Sequence, residues 1–154
     1  MPFITDLKNF IFILAGLAVW VLYRQKKEGI FFLIFMGITL TVTDQFSSSF
    51  LKELIGRIRP CHTLLEVRLL TDCNTSYSFP SAHAVNIFAG AFFLAKPLKE
   101  FSIFFYGVAS LVAYSRVYIG IHYPLDVLGG AALGLLIAWP LRWFNGWVVN
   151  RFKK

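Results

Sequence analysis

Residues 115–126 read SRVYIGIHYPLD and separate two long apolar runs. The stretch places Arg116, His122 and Asp126 within twelve residues, with His122 and Asp126 four positions apart. On one helical turn this spacing puts both side chains on the same face. An aspartate that accepts from one imidazole nitrogen leaves the other free as a nucleophile, and a nearby arginine can hold an anion. The alternative is a loop histidine followed by an aspartate that starts a helix, and the stretch alone does not decide between the two.

The composition of the whole chain is that of a membrane protein. Of its 154 residues, 57% are hydrophobic and 15% are charged, whereas in soluble domains roughly half are apolar and about a quarter charged. We therefore expect an integral membrane protein with a single domain over residues 1–154. The N-terminal apolar run lacks a positively charged leader and a clear cleavage site, so we interpret it as a retained span.

Five apolar runs have the length that membrane helices need. The alternation of period two that strands would show does not persist anywhere in the chain. The predicted fold is an all-α polytopic bundle of about five transmembrane helices. The runs lie at about residues 9–23, 30–50, 80–95, 101–118 and 125–143.

An odd number of spans puts the two termini on opposite sides of the membrane. One side then carries nine basic residues and the other six, and the positive-inside tendency makes the richer side cytoplasmic. The outer side receives the polar segment 52–77, the start of the third run and the stretch 115–126. Three polar groups that are distant in sequence can therefore meet at the outer face.

The first of these groups is Lys52 and Arg59, which follow the second run, with Pro60 turning the chain away. A lysine and an arginine together can hold a phosphate, one as a point charge and one as a planar fork. The alternative is a basic patch that faces solvent or lipid headgroups.

The second group is the sequence Pro-Ser-Ala-His at residues 80–83, which opens the third run. Proline suits the first turn of a helix, and the free backbone N–H groups there bind anions. Ser81 adds a hydroxyl donor, and His83 is placed to protonate a leaving oxygen. The alternative is an ordinary helix cap with an interfacial histidine.

Together the three groups provide cations, a helix N-terminus, a nucleophile and an acid, which is what phosphoryl transfer without a metal requires. Their order and spacing over residues 52–126 resemble the three-part signature of the type 2 phosphatidic acid phosphatase superfamily. That group includes bacterial membrane phosphatases acting on undecaprenyl pyrophosphate, phosphatidylglycerophosphate and lipid A, and soluble vanadium haloperoxidases. The chain departs from the pattern at Ala82, where the family usually has glycine. It also departs in showing five spans where membrane members commonly show six, one fewer at the N-terminal end.

The resemblance implies a metal-independent lipid phosphatase without a cofactor, in a bacterial inner membrane, with its site facing the periplasm. His122 would attack phosphorus to form a phosphohistidine, Asp126 would orient it, and His83 would protonate the leaving group. The expected partners are a lipid phosphate and the bilayer, and no nucleic acid. The phosphate oxygens would be held by Lys52, Arg59, Ser81, Ala82 and Arg116.

Other interpretations stay open at this point. A non-catalytic phospholipid-binding or transport protein would not need the two histidines and the aspartate together. A vanadate-dependent oxidase would use the same anion cradle, but the membrane spans argue against it. A metal site is conceivable, although the surrounding cations would repel a divalent ion; it would use His62, His83, His122 and Asp126. The sequence does not choose among the three lipid substrates, nor does it give the oligomeric state.

Three features outside the signature also carry expectations. Cys61 and Cys73 are twelve residues apart in the outer segment, where an oxidising periplasm favours a disulfide over two free thiols. Asp44 lies inside the second run, and we expect a structural role, pairing with a cation or capping a polar face. Gly130 and Gly134 form a small-xxx-small face that predicts close helix packing.

Overall fold

A computed structural model describes residues 11–64, 69 and 72–152, with side chains from residue 15 onward. The described part of the chain is helical and contains no strand, so the all-α prediction is confirmed. Two short helices, α3 (Lys52–Ile55) and α4 (Pro60–Thr63), lie between the second and third long ones. The long helices are α1 (Ile11–Gln25), α2 (Lys27–Gln45), α5 (Ala82–Leu94), α6 (Ser102–Tyr118) and α7 (Pro124–Phe152).

Two helical segments run further than the apolar pattern predicts. Helix α2 continues through a π-helical turn, Phe46–Leu51, into α3, which ends at Gly56 with a left-handed φ of 62°. The basic side chain of Lys52 therefore sits on a helical continuation of the second span, where an irregular segment was expected. Helix α7 passes residue 143 and includes Pro140 in its interior.

In the described part of the chain, three helical stretches are long and apolar enough to cross a membrane, which supports a membrane protein. They cover Lys27–Thr63, Lys99–Tyr118 and Pro124–Phe152. Helix α5, of 13 residues, is shorter than the roughly 20 residues that a perpendicular span needs. The number of spans and their orientation therefore stay predictions.

Helix α2 shows the inverted pattern of a lipid-facing helix. Its large apolar side chains point outward at four-residue spacing, as Ile30, Ile34, Ile38 and Val42. Its buried positions include the hydroxyl residues Thr39 and Thr43, and the π-helical turn that follows adds Ser47. Small polar residues on the inside and aliphatic ones outside are typical of helix packing in a bilayer.

Helix α5 is the centre of the bundle and packs against α2, α6 and α7. One cluster of buried side chains joins it to α1, α2 and α7, namely Val21, Phe32, Ala89, Phe93 and Ala138. A second cluster joins it to α6 and α7, namely Ala84, Ala113 and Val127.

The contact between α5 and α7 depends on two glycines. A Cβ at Gly130 would lie 2.8 Å from the Ser81 carbonyl oxygen, and a Cβ at Gly134 would overlap the Val85 carbonyl. This confirms the predicted small-xxx-small packing. The approach lets the Ser81 N–H donate to the Asp126 carbonyl oxygen at 3.0 Å. The first turns of α5 and α7 are thereby joined at one end of the bundle.

Candidate active site

The three predicted groups meet at this end of the bundle. The positive charges of Lys52, Arg59 and Arg116 all act on the His83 imidazole, as does His122. Most of the predicted site residues are buried, with at most 7% of each residue exposed. The buried set consists of Lys52, Arg59, Ser81, Arg116, His122 and Asp126.

His122 and Asp126 face one another across the start of α7. His122 lies in the loop before the helix, so the two residues do not share a helical turn as the four-residue spacing suggested. Their separation is nevertheless short, with Nδ1 of His122 3.5 Å from Oδ2 of Asp126. This distance is longer than a good hydrogen bond, and such catalytic contacts commonly tighten when substrate binds.

The partners of His122 define its tautomer. Nη1 of Arg59 lies 3.4 Å from Nε2, and a guanidinium can only donate. An ionised carboxylate can only accept, so Asp126 faces a protonated Nδ1. Nε2 therefore carries the lone pair and points toward the arginine that would hold an anion.

Burial also keeps His122 in its neutral form. Desolvation lowers the pKa of the His122 imidazole, and the positive charges of Arg59 and Lys52 act in the same direction. The nearby Asp126 carboxylate opposes this lowering. The net effect is an uncharged imidazole at neutral pH, with a lone pair available at Nε2.

Three buried side-chain atoms in the described part of the chain have no hydrogen-bond partner, and all three belong to the site. They are Oγ of Ser81, Nε of Arg116 and Nδ1 of His122. Buried polar atoms normally have partners. Oγ of Ser81 and Nε of Arg116, both on predicted anion-holding residues, indicate a place built for a polar ligand. Nδ1 of His122 instead faces Asp126.

Helix α5 begins at Ala82, so Pro80 precedes the N-cap and does not occupy the first helical turn as predicted. Ser81 is the N-cap, with a fully buried side chain, and Ala82 is half-buried. The first N–H groups of a helix have no partner within it and attract anions. His83 is exposed, so its ring is accessible to a leaving group.

Arg57 is the site residue that the sequence reasoning missed. Its Nη1 donates to Oδ1 of Asp126 at 2.8 Å, and its guanidinium lies 4.1 Å from the centre of the Tyr123 ring. Sequence spacing assigned it only to the outer set of cations. The signal available was its position between Lys52 and Arg59, in a stretch where a third cation needs its own counter-ion.

The structure joins Cys61 and Cys73 in a disulfide. The bond connects α4 to the segment that carries Ser76, whose carbonyl oxygen and Oγ accept from Arg59 at 2.7 and 2.9 Å. His62 lies beside this bond, with Nε2 3.3 Å from Sγ of Cys73. His62 thus lies in a different cluster from the one that the metal alternative required.

Asp44 has an amide partner in place of the expected cation. Its Oδ1 accepts from Nδ2 of Asn86 on α5 at 2.9 Å, and Oδ1 of Asn86 accepts from Thr43 at 2.8 Å. Its negative charge also acts on Lys52. Asp44 therefore connects α2 to α5 directly beneath the cation cluster.

Comparison with known proteins identifies a family and several relatives. The sequence profile of the PAP2 superfamily matches residues 29–150. The chain is 36% identical over 143 residues to phosphatidylglycerophosphatase B of Bacillus subtilis, covering 86% of this chain and 64% of the relative. It is 33% identical over 120 residues to a lipid A 4′-phosphatase of Bacteroides thetaiotaomicron, covering 73% of this chain and 53% of the relative. The chain thus spans between half and two thirds of the length of these relatives.

The fold is also similar to a solved structure. The transmembrane PAP2 type phosphatidylglycerolphosphate phosphatase from Bacillus subtilis superposes with a TM-score of 0.60 at 32% identity. The match covers 88% of this chain and 70% of that one.

Proposed function

The chain belongs to the PAP2 superfamily, and from that premise we propose that it is an integral membrane lipid phosphatase with a phosphohistidine intermediate on His122. The observation that carries the proposal is the pair of unpartnered buried polar atoms on Ser81 and Arg116. These residues lie at the same end of the bundle as His122, whose Nε2 faces Arg59. A phosphoryl group there would have donors on its oxygens and Nε2 of His122 at its phosphorus.

In the first step, the Nε2 lone pair of His122 forms a bond to phosphorus while the bond from phosphorus to the lipid oxygen breaks. The Nδ1 proton faces Asp126, so the positive charge that develops on the ring is stabilised as the bond forms. His83, which is protonated when the charge of the bound phosphate offsets the surrounding positive charges, donates its proton to the departing oxygen, which leaves as a lipid alcohol or a lipid monophosphate.

In the second step, a water molecule attacks the phosphohistidine. His83, now neutral, takes a proton from that water as its oxygen bonds to phosphorus and the bond to Nε2 breaks. The lone pair returns to His122, and inorganic phosphate is released. Each residue ends in its starting protonation state, so the cycle is balanced.

The buried cations supply the electrostatic stabilisation. Positive charges and free N–H groups aimed at the equatorial oxygens act strongly in a site from which water is largely excluded. The donors are Lys52, Arg59, Arg116, the Ser81 hydroxyl and the first N–H groups of α5. The chemistry assigned to these residues needs no metal ion or cofactor.

We extend the proposal to substrate and orientation. The names of the relatives support a lipid A phosphate or phosphatidylglycerophosphate as substrate, and the family resemblance adds undecaprenyl pyrophosphate. The site lies at the end of the bundle that the distribution of basic residues assigns to the outer face. We therefore place it at the periplasmic side of a bacterial inner membrane, in a single domain.

The test is phosphate release from the three lipids by purified protein in detergent with EDTA present. We expect release by the wild type, with trapped radiolabelled phosphate on histidine after an acid-free quench. His122→Ala should lower turnover by at least about a thousandfold, because no other group can replace the nucleophile. His62→Ala is the matched control, since His62 is exposed and contacts the disulfide.

Three outcomes would reject the proposal. Release that EDTA abolishes would show that the histidines are metal ligands. Lipid binding without release by folded wild-type protein would indicate a binding or transport protein. Equal losses of turnover in His62→Ala and His122→Ala would show that both replacements act by damaging the fold, so that His122 would not be the nucleophile.

A further inference from the structure

Both oxygens of the Asp126 carboxylate are held, and by different elements. Oδ1 accepts from Arg57 at 2.8 Å. Oδ2 accepts from the Tyr123 backbone N–H at 2.9 Å and faces Nδ1 of His122. The carboxylate is fully buried, so its orientation is defined by these contacts and not by water.

Arg57 is itself held in place on the side away from the cation cluster. Its guanidinium stacks on the Tyr123 ring, and the Tyr123 hydroxyl contacts Oγ1 of Thr63 on α4 at 2.9 Å. The Arg57 side chain is 35% exposed, whereas Arg59 is 5% exposed. Arg57 is therefore bound to a carboxylate and a ring, while Arg59 faces the nucleophile.

We propose that Arg57 is a positioning residue for the phosphatase reaction, fixing Asp126 through Oδ1 so that Oδ2 faces His122. This inference rests on the proposed function. A buried carboxylate held at one oxygen only would be free to rotate, and without a cation its burial would be strongly unfavourable. The Arg57 guanidinium restrains the carboxylate and neutralises its charge, and it does so without contacting the phosphate.

Kinetics separate positioning from substrate binding. Arg57→Gln keeps a hydrogen-bond donor but removes the positive charge and the guanidinium that stacks on Tyr123. We expect kcat to fall about 10- to 100-fold. KM should change by less than about threefold, because the phosphate contacts are intact. Arg57→Lys should recover part of kcat, since a cation returns to Oδ1. Arg24→Gln is the matched control, because Arg24 also lies over an aromatic ring, Trp20, but has no role at the site.

The Tyr123 ring provides a second, independent variant. Tyr123→Leu keeps the backbone N–H to Oδ2 and removes the surface on which Arg57 rests. We expect a smaller loss of kcat, and the double variant should be no slower than Arg57→Gln alone. Additive losses would show that the two residues act separately and would contradict the inference.

A measurement without turnover distinguishes failure of this inference from failure of the proposed function. The chain has three histidines, so labelled-histidine NMR with His62→Gln and His83→Gln for assignment can follow His122. The charged groups that act on His122 are Asp126, Arg59 and Lys52, with His83 across the site. Arg57→Gln frees the Asp126 carboxylate to turn away from Nδ1, so the ¹⁵N chemical shifts of His122 should change from those of a single Nδ1–H tautomer to those of a mixture of tautomers.

Two results would overturn the inference. One is a single Nδ1–H tautomer of His122 that is retained in Arg57→Gln, whether or not the wild type turns over any lipid. The other is a KM that rises more than kcat falls, which would place Arg57 on the substrate. Absence of activity in the wild type together with the expected change of tautomer in Arg57→Gln would reject the proposed function and keep the positioning role.

Discussion

Two groups of basic side chains lie at opposite ends of the bundle and differ sharply in burial. The group at the site end is almost fully buried: 7% of Lys52, 5% of Arg59 and 7% of Arg116 is exposed. At the other end, Lys96 and Lys99 are exposed in the turn between α5 and α6, and Arg142 donates to the Phe92 carbonyl oxygen at 2.9 Å.

The difference separates cations that report topology from cations that need an anion. A solvated lysine at a membrane surface loses little hydration. A buried cation without a counter-ion is strongly unfavourable. None of the three buried cations forms a salt bridge with a carboxylate in the described part of the chain, whereas Arg57 does. We expect the unfavourable burial to be offset when a phosphate binds, and this is the physical basis for the prediction with the largest effect.

Replacing the buried cations should remove activity and leave the fold intact. We expect Lys52→Met or Arg59→Gln to lower kcat/KM by about 10²- to 10³-fold, because each removes a donor from the transition state. Lys52→Met should also leave the melting temperature unchanged or raised, since an apolar group replaces an unpaired buried charge. Lipid phosphatase assays and thermal unfolding in detergent measure the two effects.

The exposed end provides the control. Lys99→Met should change kcat/KM by less than about twofold, since surface charges contribute little. Equal losses from Lys52→Met and Lys99→Met would mean that net positive charge, and not the buried cluster, supports the reaction.

The second prediction concerns the backbone donors at the N-terminus of α5. Ala82→Pro removes one N–H at the first helical position, where proline fits and the extended Ser81 can precede it. We expect kcat to fall about 10-fold or more while the protein remains folded, because an oxyanion donor is lost. Ala82→Gly keeps the N–H, so kcat should stay within about threefold. A larger loss in Ala82→Gly than in Ala82→Pro would assign the role to the methyl group.

The sequence predicted the cluster at residues 52–126 well, because each of its parts has a short local signature. The chemistry that we propose for these residues follows from residue types at fixed spacing, and apolar runs between them report the helices that bring them together. The residues are Lys52, Arg59, Ser81, His122 and Asp126. The fold class followed from the length of those runs alone. Helix ends were less well predicted, because α3 and the end of α7 contain charged residues that hydropathy assigns to loops.

Arg57 could not be identified in the same way. Its role depends on the distance between two segments that are 69 residues apart, and no local pattern reports that distance. The same holds for Ser76 and Asn86, which act on Arg59 and Asp44 through tertiary contacts. The spacing of residues in the sequence identifies candidates for the reacting groups. The residues that position those groups are identified only from tertiary contacts in the structure.

The third prediction tests the packing that brings the buried cluster together. Gly134→Ala places a methyl group on the Val85 carbonyl, so α7 must move away from α5. We expect a loss of about 1–3 kcal/mol in the free energy of unfolding, as for other overpacked sites. Activity should fall about 10-fold, since small shifts at the Asp126 end misplace the nucleophile.

Gly37→Ala is the matched control, because nothing lies within 4 Å of a Cβ there. Alanine in a helix interior should stabilise the protein by up to about 1 kcal/mol. If both variants were equally stable, the close approach of α5 and α7 would not contribute to the fold.

The smallest effect is expected from the disulfide, which acts on the buried cluster only through Arg59. Cys61 is two residues from Arg59, and Cys73 is three from Ser76, so the bond holds both ends of the Arg59–Ser76 contact. Without the bond, Arg59 keeps its side chain and loses only part of its restraint. We expect the double variant Cys61→Ser/Cys73→Ser to lower kcat/KM about three- to fivefold. The lost cross-link should also lower stability by up to about 3 kcal/mol.

A reducing agent separates the bond from the side chains. Reduction should bring the wild type to the activity of the double variant and should not change the double variant further. Stability could instead fall while kcat/KM stays at the wild-type value in both the reduced wild type and the double variant. The bond would then stabilise the outer segment without affecting the position of Arg59. The burial of Arg59 would then be sufficient to orient it, and the difference between the two ends of the bundle would rest on burial without any covalent restraint.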